Sequence, residues 1–155
     1  MADINNKTVA EDAKQYICVK LGTEQYGIDI QYVDNIVRMQ KITRVPKAQR
    51  YFKGVINLRG EIVPVMSLRM KFDLEQDAYS NATRIIIIKL EQQASVGLIV
   101  DEVKEVVTLD ESCIDKPNYN ASDNKTQFIS GIGKPGEGLI SLLNIAEVII
   151  EKENA

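Results

Sequence analysis

Arg59 stands between two apolar runs, in Gly54-Val55-Ile56-Asn57-Leu58-Arg59-Gly60, with Tyr51-Phe52 just upstream. A guanidinium carries a planar fork of donors suited to bidentate recognition of a carboxylate at a protein interface. The same group can equally satisfy the carbonyls of its own turn, and residue types alone leave both uses open. The other groupings that could do chemistry are weaker. Gly131-Ile132-Gly133-Lys134-Pro135-Gly136 has the GxGxxG spacing of a dinucleotide loop. Only 19 residues follow it, too few for the helix, second strand and ribose-binding acid of a βαβ unit. Pro135-Gly136 marks a turn, so a hairpin is expected there instead. Asp101-Glu102 with Glu105, and Asp110-Glu111, lack the alternating spacing of a calcium loop and read as surface charge. Cys18 and Cys113 are too few for a disulfide scaffold and cannot form a CxxC pair. Histidine is absent, which removes the commonest general base and the commonest metal ligand together. No catalytic centre, metal or nucleotide cofactor is therefore expected, and Cys18 is expected to be a small semi-buried strand residue.

The elements that must position Arg59 are mostly strands. Tyr16 to Leu21 alternates, with Ile17, Val19 and Leu21 apolar; Gly22-Thr23-Glu24 turns it and Gln25 to Ile30 returns. Val33, Ile36 and Val37, spaced by three and four, predict a helical turn passing into a strand. Gly54–Leu58 and Ile62–Met66 flank Arg59-Gly60-Glu61 as a second hairpin, whose Pro64 belongs on an edge or at a bulge. Ile85-Ile86-Ile87-Ile88 predicts a strand covered on both faces. Ala94–Val100 and Glu105–Leu109 follow as strands, then a polar loop from Asp110 to Gln127. A last strand pair, Phe128–Ile132 and Leu139–Leu142, precedes a helix from about Asn144 to Lys152, with Asn144 and Glu147 spaced as a capping box.

A gapless internal repeat aligns Gly27–Ile36 with Gly97–Val106, and Gly54-Val55…Gly60-Glu61 echoes Gly131-Ile132…Gly136-Glu137. The repeat predicts an all-β fold of two small five-stranded barrels packed together, with one C-terminal helix. The expected organisation is a disordered tail over 1–14 and one domain over 15–150, with approximate subdomains 15–80 and 82–150. The tail lacks the apolar stretch of a secretory signal, and no run approaches the length of a membrane span. A cytoplasmic protein with no membrane insertion is expected.

Charge is uneven. Among the 155 residues the net charge is −3, yet Ile36 to Phe72 holds nine Lys or Arg against Glu61 alone. A solvated barrel rim accounts for that strip; a small barrel binding single-stranded nucleic acid is the rival reading, and the acidic remainder of the chain speaks against it.

Taken in order, Tyr26-Gly27-Ile28-Asp29-Ile30, Thr43-Arg44-Val45-Pro46, the block Gly54 to Val65 containing Asn57-Leu58-Arg59-Gly60, Leu68-Arg69, Gly97 to Val103 and Gly131-Ile132 resemble the CheW family of bacterial chemotaxis coupling proteins. The match runs from about Gln15 to Ile150. The resemblance implies two SH3-like barrels and a non-catalytic, cytoplasmic adaptor, recruited to membrane-associated arrays. Its implied partners are the hairpin tips of chemoreceptors and the regulatory domain of the histidine kinase CheA; no nucleic acid is implied. Carried over residue by residue, it places Val33, Asn35, Ile36, Arg59, Val103 and Val106 at a receptor-binding groove between the barrels. Gly54, on a glycine-flanked hairpin able to approach a partner closely, is expected at the kinase contact. Asn35 stands where many members of the family have Glu, which puts a receptor contact through that position in doubt.

Overall fold

Ile85, Ile86, Ile87 and Ile88 are all buried, and they face two different cores. Successive side chains of a strand point to opposite faces. Ile85 and Ile87 join Ile56, Val63, Val65 and Ile99, while Ile86 and Ile88 join Leu98, Val100 and a much larger cluster. This two-sided burial is what an unbroken isoleucine run demands.

The computed structural model describes residues 13–75, 78–90, 94–116, 127–136 and 138–149. Its strands are β1 (Lys14–Leu21), β2 (Glu24–Asp29), β3 (Val33–Arg38), β4 (Phe52–Leu58), β5 (Glu61–Ser67), β6 (Arg84–Ile88), β7 (Val96–Val100), β8 (Glu102–Leu109), β9 (Ile114–Asp115), β10 (Ile129–Gly133) and β11 (Ile140–Leu143). Two short helices, α1 (Leu68–Lys71) and α2 (Ile145–Ile149), follow β5 and β11. The strands form two sheets, ordered β3-β6-β7-β5-β4 and β8-β1-β2-β11-β10-β9.

Each sheet curls because the chain leaving its outer strand returns to the opposite edge. After β3, Thr43 pairs with Val55 of β4, donating N–H to its carbonyl at 2.8 Å and accepting its N–H at 2.9 Å. After β8, β9 does the same to β10, with Asp115 opposite Ile132. The expected architecture of two small barrels is thus observed. Ile56, Val63, Val65, Ile85, Ile87 and Ile99 fill the first barrel, and Tyr16, Cys18, Leu109, Ile140 and Leu142 fill the second. Between them lies a third and larger core, where Ile17, Val19, Leu21 and Ile28 of one barrel meet Ile86, Ile88, Leu98 and Val100 of the other. Phe72 and Phe128 stack within it, ring centroids 5.3 Å apart. At about 1.5–3 kcal/mol per fully buried large aliphatic side chain, that shared layer fastens the two barrels together.

The repeat is structural. Gly27 lies opposite Leu142 in a parallel pairing of β2 with β11, and Gly97 opposite Val65 in a parallel pairing of β7 with β5. The barrels nevertheless exchange strands across the repeat: β1 and β2 join the second barrel, β6 and β7 the first. The division at 15–80 and 82–150 therefore follows the repeat and not the sheets. Lys14, placed at the end of the tail, is the first residue of β1, while residues 1–12 lie outside the described residues.

Other expectations need correction. Val33, Ile36 and Val37 all lie in β3; the helical turn precedes them, as a 3-10 turn at Ile30–Tyr32 capped by Asp29. Pro64 is on neither an edge strand nor a bulge position. Val55, opposite it, spends both backbone groups on Thr43, and the pairing of β5 with β7 begins only at Val65, so no partner needs the missing N–H. The polar loop after Asp110 contains a 3-10 turn and β9, and its residues 117–126 lie outside the described residues. Helix α1 was not expected: four residues carry too little periodicity. The C-terminal helix is described over Ile145–Ile149, where Asn144 caps it by accepting the Glu147 N–H at 3.3 Å. Ile145 and Val148 are buried as its stripe predicts, and Ile149 packs on the shared core.

Candidate functional site

The β4–β5 hairpin has only Arg59 and Gly60 between its last paired residues, Leu58 and Glu61. Both are left-handed, at φ 57° and 85°. Such a turn matches the twist of the flanking strands but demands positive φ at both positions. Gly60 accepts that freely, whereas a side-chain-bearing residue in this region gives up roughly 1–2 kcal/mol. The Gly60 N–H donates to Asn57 Oδ1 at 3.0 Å, so Asn57 secures the turn. Arg59 makes no hydrogen bond or ion pair among the described residues and is exposed. Of the two uses left open by its residue type, satisfying its own turn is not realised. Glu61 lies four residues beyond Val65, which pairs with Gly97, while Val33 pairs with Ile88 and Ile88 with Val96. The Arg59 turn therefore projects past the end of the first barrel at which Val33 sits.

Val33 and Val103 occupy matching places on the outer strands β3 and β8. Opposite Ile88, the register of β3 shifts between Val33 and Asn35, bulging Asp34; against β1, β8 shifts between Val103 and Glu105, bulging Lys104. A bulge bends its strand and re-aims the side chains beyond it. Val33 and Val103 pack onto the shared core. Three residues on, Ile36 and Val106 point outward, 36% and 49% exposed. The structure thus brings the four apolar residues of the expected groove into two equivalent pairs, one anchored and one presented. Asn35 lies beside them half-buried, and its Oδ1 accepts the Ile36 N–H at 2.8 Å, a local turn-like bond that a Glu side chain would not reproduce at this length.

Gly54 must be corrected. It is buried with φ 141°, and a Cβ built there would lie 2.1 Å from the Thr43 carbonyl oxygen. Its missing side chain admits the closing segment of its own barrel, and burial leaves it little surface to offer a partner. Gly131 plays the same part beneath Ile114, and Gly133 faces Leu109. Both lie in β10, and Lys134-Pro135-Gly136 bends away from it toward the antiparallel β11, so the GxGxxG match belongs to a hairpin, as expected.

The remaining candidates are structural too. Cys18 is fully buried and its thiol donates to Gln25 Oε1 at 2.9 Å; burial, then the nearby Glu105 carboxylate, push its pKa up, which keeps it protonated and unreactive. Asp110 accepts the Ser112 hydroxyl and N–H at the mouth of a 3-10 turn. Asp101 is paired: Arg69 Nε and Nη2 donate to its two oxygens at 2.8 and 2.6 Å, and the Gly22 N–H adds a bond at 2.8 Å. The Arg69 bonds above all hold its carboxyl below the usual range. Among the described residues no three His, Cys, Asp or Glu side chains are grouped to hold a metal, and no helix is long and apolar enough to cross a membrane.

Two exposed residues escaped sequence reasoning. Ile62 and Leu139 are each 60% exposed, and the parallel pairings make them equivalent: Ile62 lies three residues before Val65, which pairs with Gly97, and Leu139 three before Leu142, which pairs with Gly27. Strand alternation was the available signal: Ile62 falls out of phase with the inward Val63 and Val65.

Comparison with known proteins places the chain in a family. The CheW-like domain model matches residues 15–153. The chemotaxis protein CheW of Klebsiella aerogenes is 34% identical over 142 residues, covering 92% of this chain and 85% of that protein. That of Bacillus subtilis is 34% identical, covering 92% and 90%. The crystal structure of the scaffolding protein TtCheW from Thermoanaerobacter tengcongensis superposes with a TM-score of 0.82 at 33% identity, covering 91% of this chain and 95% of that one. With the motifs, the paired barrels and these relatives in agreement, the chain belongs to the CheW family.

Proposed function

We propose that this chain is a non-catalytic chemotaxis adaptor that joins chemoreceptor hairpin tips to the regulatory domain of the kinase CheA in cytoplasmic, membrane-associated arrays. The observation that carries the reading is the duplicated pair on β3 and β8: Val33 and Val103 anchored in the shared core, Ile36 and Val106 held outward beside them. An interface draws most of its energy from a few apolar anchors and arginines rather than from its whole area. Arg59, free of internal bonds and projecting at the Val33 end, supplies the charged contact to a receptor carboxylate or carbonyl. Gly54 being enclosed, the kinase contact is assigned to the exposed apolar residues Ile62 and Leu139 at the barrel hairpins.

The test is reconstitution of CheA with a receptor cytoplasmic fragment, with and without this chain. Receptor-dependent kinase activity is expected only in its presence. Ile36→Asp or Val106→Asp is expected to reduce receptor binding with little loss of fold, since both side chains are already solvated. Kinase control indifferent to the chain, or receptor binding indifferent to both substitutions, would overturn the proposal.

A further inference from the structure

The segment joining β3 to β4 frames an open groove of about 1070 Å³ that takes no part in the receptor face described above. Lys41, Arg44, Lys47, Arg50 and Lys53 line it, and residues 39–53 contain no acid at all. Arg50 reaches Asp73 at 3.6 Å. Lys41, Arg44, Lys47 and Lys53 have no acidic partner among the described residues. Between these cations the lining is mainly apolar, with Ile42, Val45, Phe52 and Tyr79 contributing beside Gln40 and Gln49, and Tyr79 is 50% exposed. Ile42 also packs against the first barrel's core and Thr43 is tied to β4, so the groove wall stands on the closed barrel.

Four uncompensated cations around an apolar lining define a ligand that is both acidic and apolar. A solvated charged rim does not need an apolar lining, and a purely apolar partner does not need the cations. Nucleic acid fits less well: Tyr79 is the one largely exposed aromatic on which a base can stack among the described residues, and the chain outside the basic strip is acidic and repels an extended polyanion. We infer that the β3–β4 groove is a docking site for an acidic peptide segment of a partner protein, carboxylates on the cations and apolar side chains against Ile42, Phe52 and Tyr79. The site does not depend on the adaptor reading, because it shares no residue with the receptor face.

The probe is a fluorescein-labelled peptide of alternating Glu and Leu, set against an all-Glu peptide of equal length and an oligothymidylate. Anisotropy titration of the full chain is expected to show salt-sensitive binding of the mixed peptide, weaker binding of the all-Glu peptide and weakest binding of the oligonucleotide. Lys41→Glu/Arg44→Glu/Lys47→Glu is expected to weaken the mixed peptide about tenfold or more, summing three modest surface ion pairs and their reversal. Lys89→Glu, outside the groove, should leave it unchanged. Amide shift changes on the unmutated chain should concentrate in residues 39–53, which tests the location whatever the stability of the variants. No binding of the mixed peptide, shift changes elsewhere, or tighter binding of the oligonucleotide would overturn the inference.

Discussion

The two barrels solve one folding problem with different surfaces. In the first, the segment returning from β3 to cover β4 is basic; in the second, the equivalent segment returning from β8 to cover β10 carries Asp110, Glu111 and Asp115. Thr43 and Asp115 occupy corresponding places, one opposite Val55 and one opposite Ile132, and each runs over a glycine one residue away. Backbone closure constrains the glycines, and solvent leaves the charges free to diverge. A duplicated fold can thus keep its interior and dedicate each exterior separately.

The comparison breaks most sharply at the closing glycines. Gly54→Ala places a Cβ against a fixed backbone carbonyl at positive φ, and is expected to cost about 3 kcal/mol or more in urea denaturation. Gly131→Ala meets the Ile114 Cγ2 at 2.8 Å and the Asp115 carbonyl oxygen at 3.2 Å, less closely than at Gly54 and without a left-handed φ, so about 1–2 kcal/mol is expected. Equal losses at the two sites would show that closure does not differ as the contacts indicate.

A second asymmetry is the Arg69–Asp101 bridge, with side chains only 17% and 30% exposed. The repeat places Gln31, after β2 of the second barrel, where Asp101 follows β7 of the first, so the second barrel lacks the bond's equivalent. Asp101→Asn is expected to cost about 1.5–3 kcal/mol, the range for a charge-assisted hydrogen bond. Because the folded state depresses the Asp101 pKa, the stabilisation is complete above the unfolded value of about 3.9 and is lost as pH falls through the lower folded value. Thermal unfolding of the wild type from pH 6 to pH 2 should therefore fall more steeply than that of Asp101→Asn; parallel curves would contradict the assignment.

Arg59 gives the smallest effect on stability. Arg59→Gly relieves a left-handed residue and is expected to raise stability by up to about 1 kcal/mol, less the flexibility it adds to the unfolded chain. Receptor coupling should fall about 10-fold or more in the same variant, and Arg59→Lys should restore it only in part because an ammonium lacks the fork. A destabilised Arg59→Gly would mean that the side chain supports the turn after all.

Much of this molecule was legible in one sequence because short-range geometry leaves period-two and turn signatures. The β1–β2 and β4–β5 hairpins, the buried isoleucine strand, the capped C-terminal helix and the repeat all follow from alternation, glycine placement and self-similarity. The chemistry of the isolated candidates was legible as well: without histidine, Cys18 has no activating partner, and the structure holds it as a buried thiol.

Tertiary structure decided what depends on distant partners. Sequence order cannot say that β1 and β2 complete the second barrel, because strand pairing is chosen by faces that meet across 80 or more residues, as Ile17 does with Val106. It cannot tell a glycine kept for a partner from one kept for its own chain; Gly54 is settled only by the Thr43 carbonyl above it. Nor can it show that Asn57 takes the turn's hydrogen bond and leaves Arg59 its full set of donors. Residue types fix which forces are available, and the packed backbone fixes which groups have already used them.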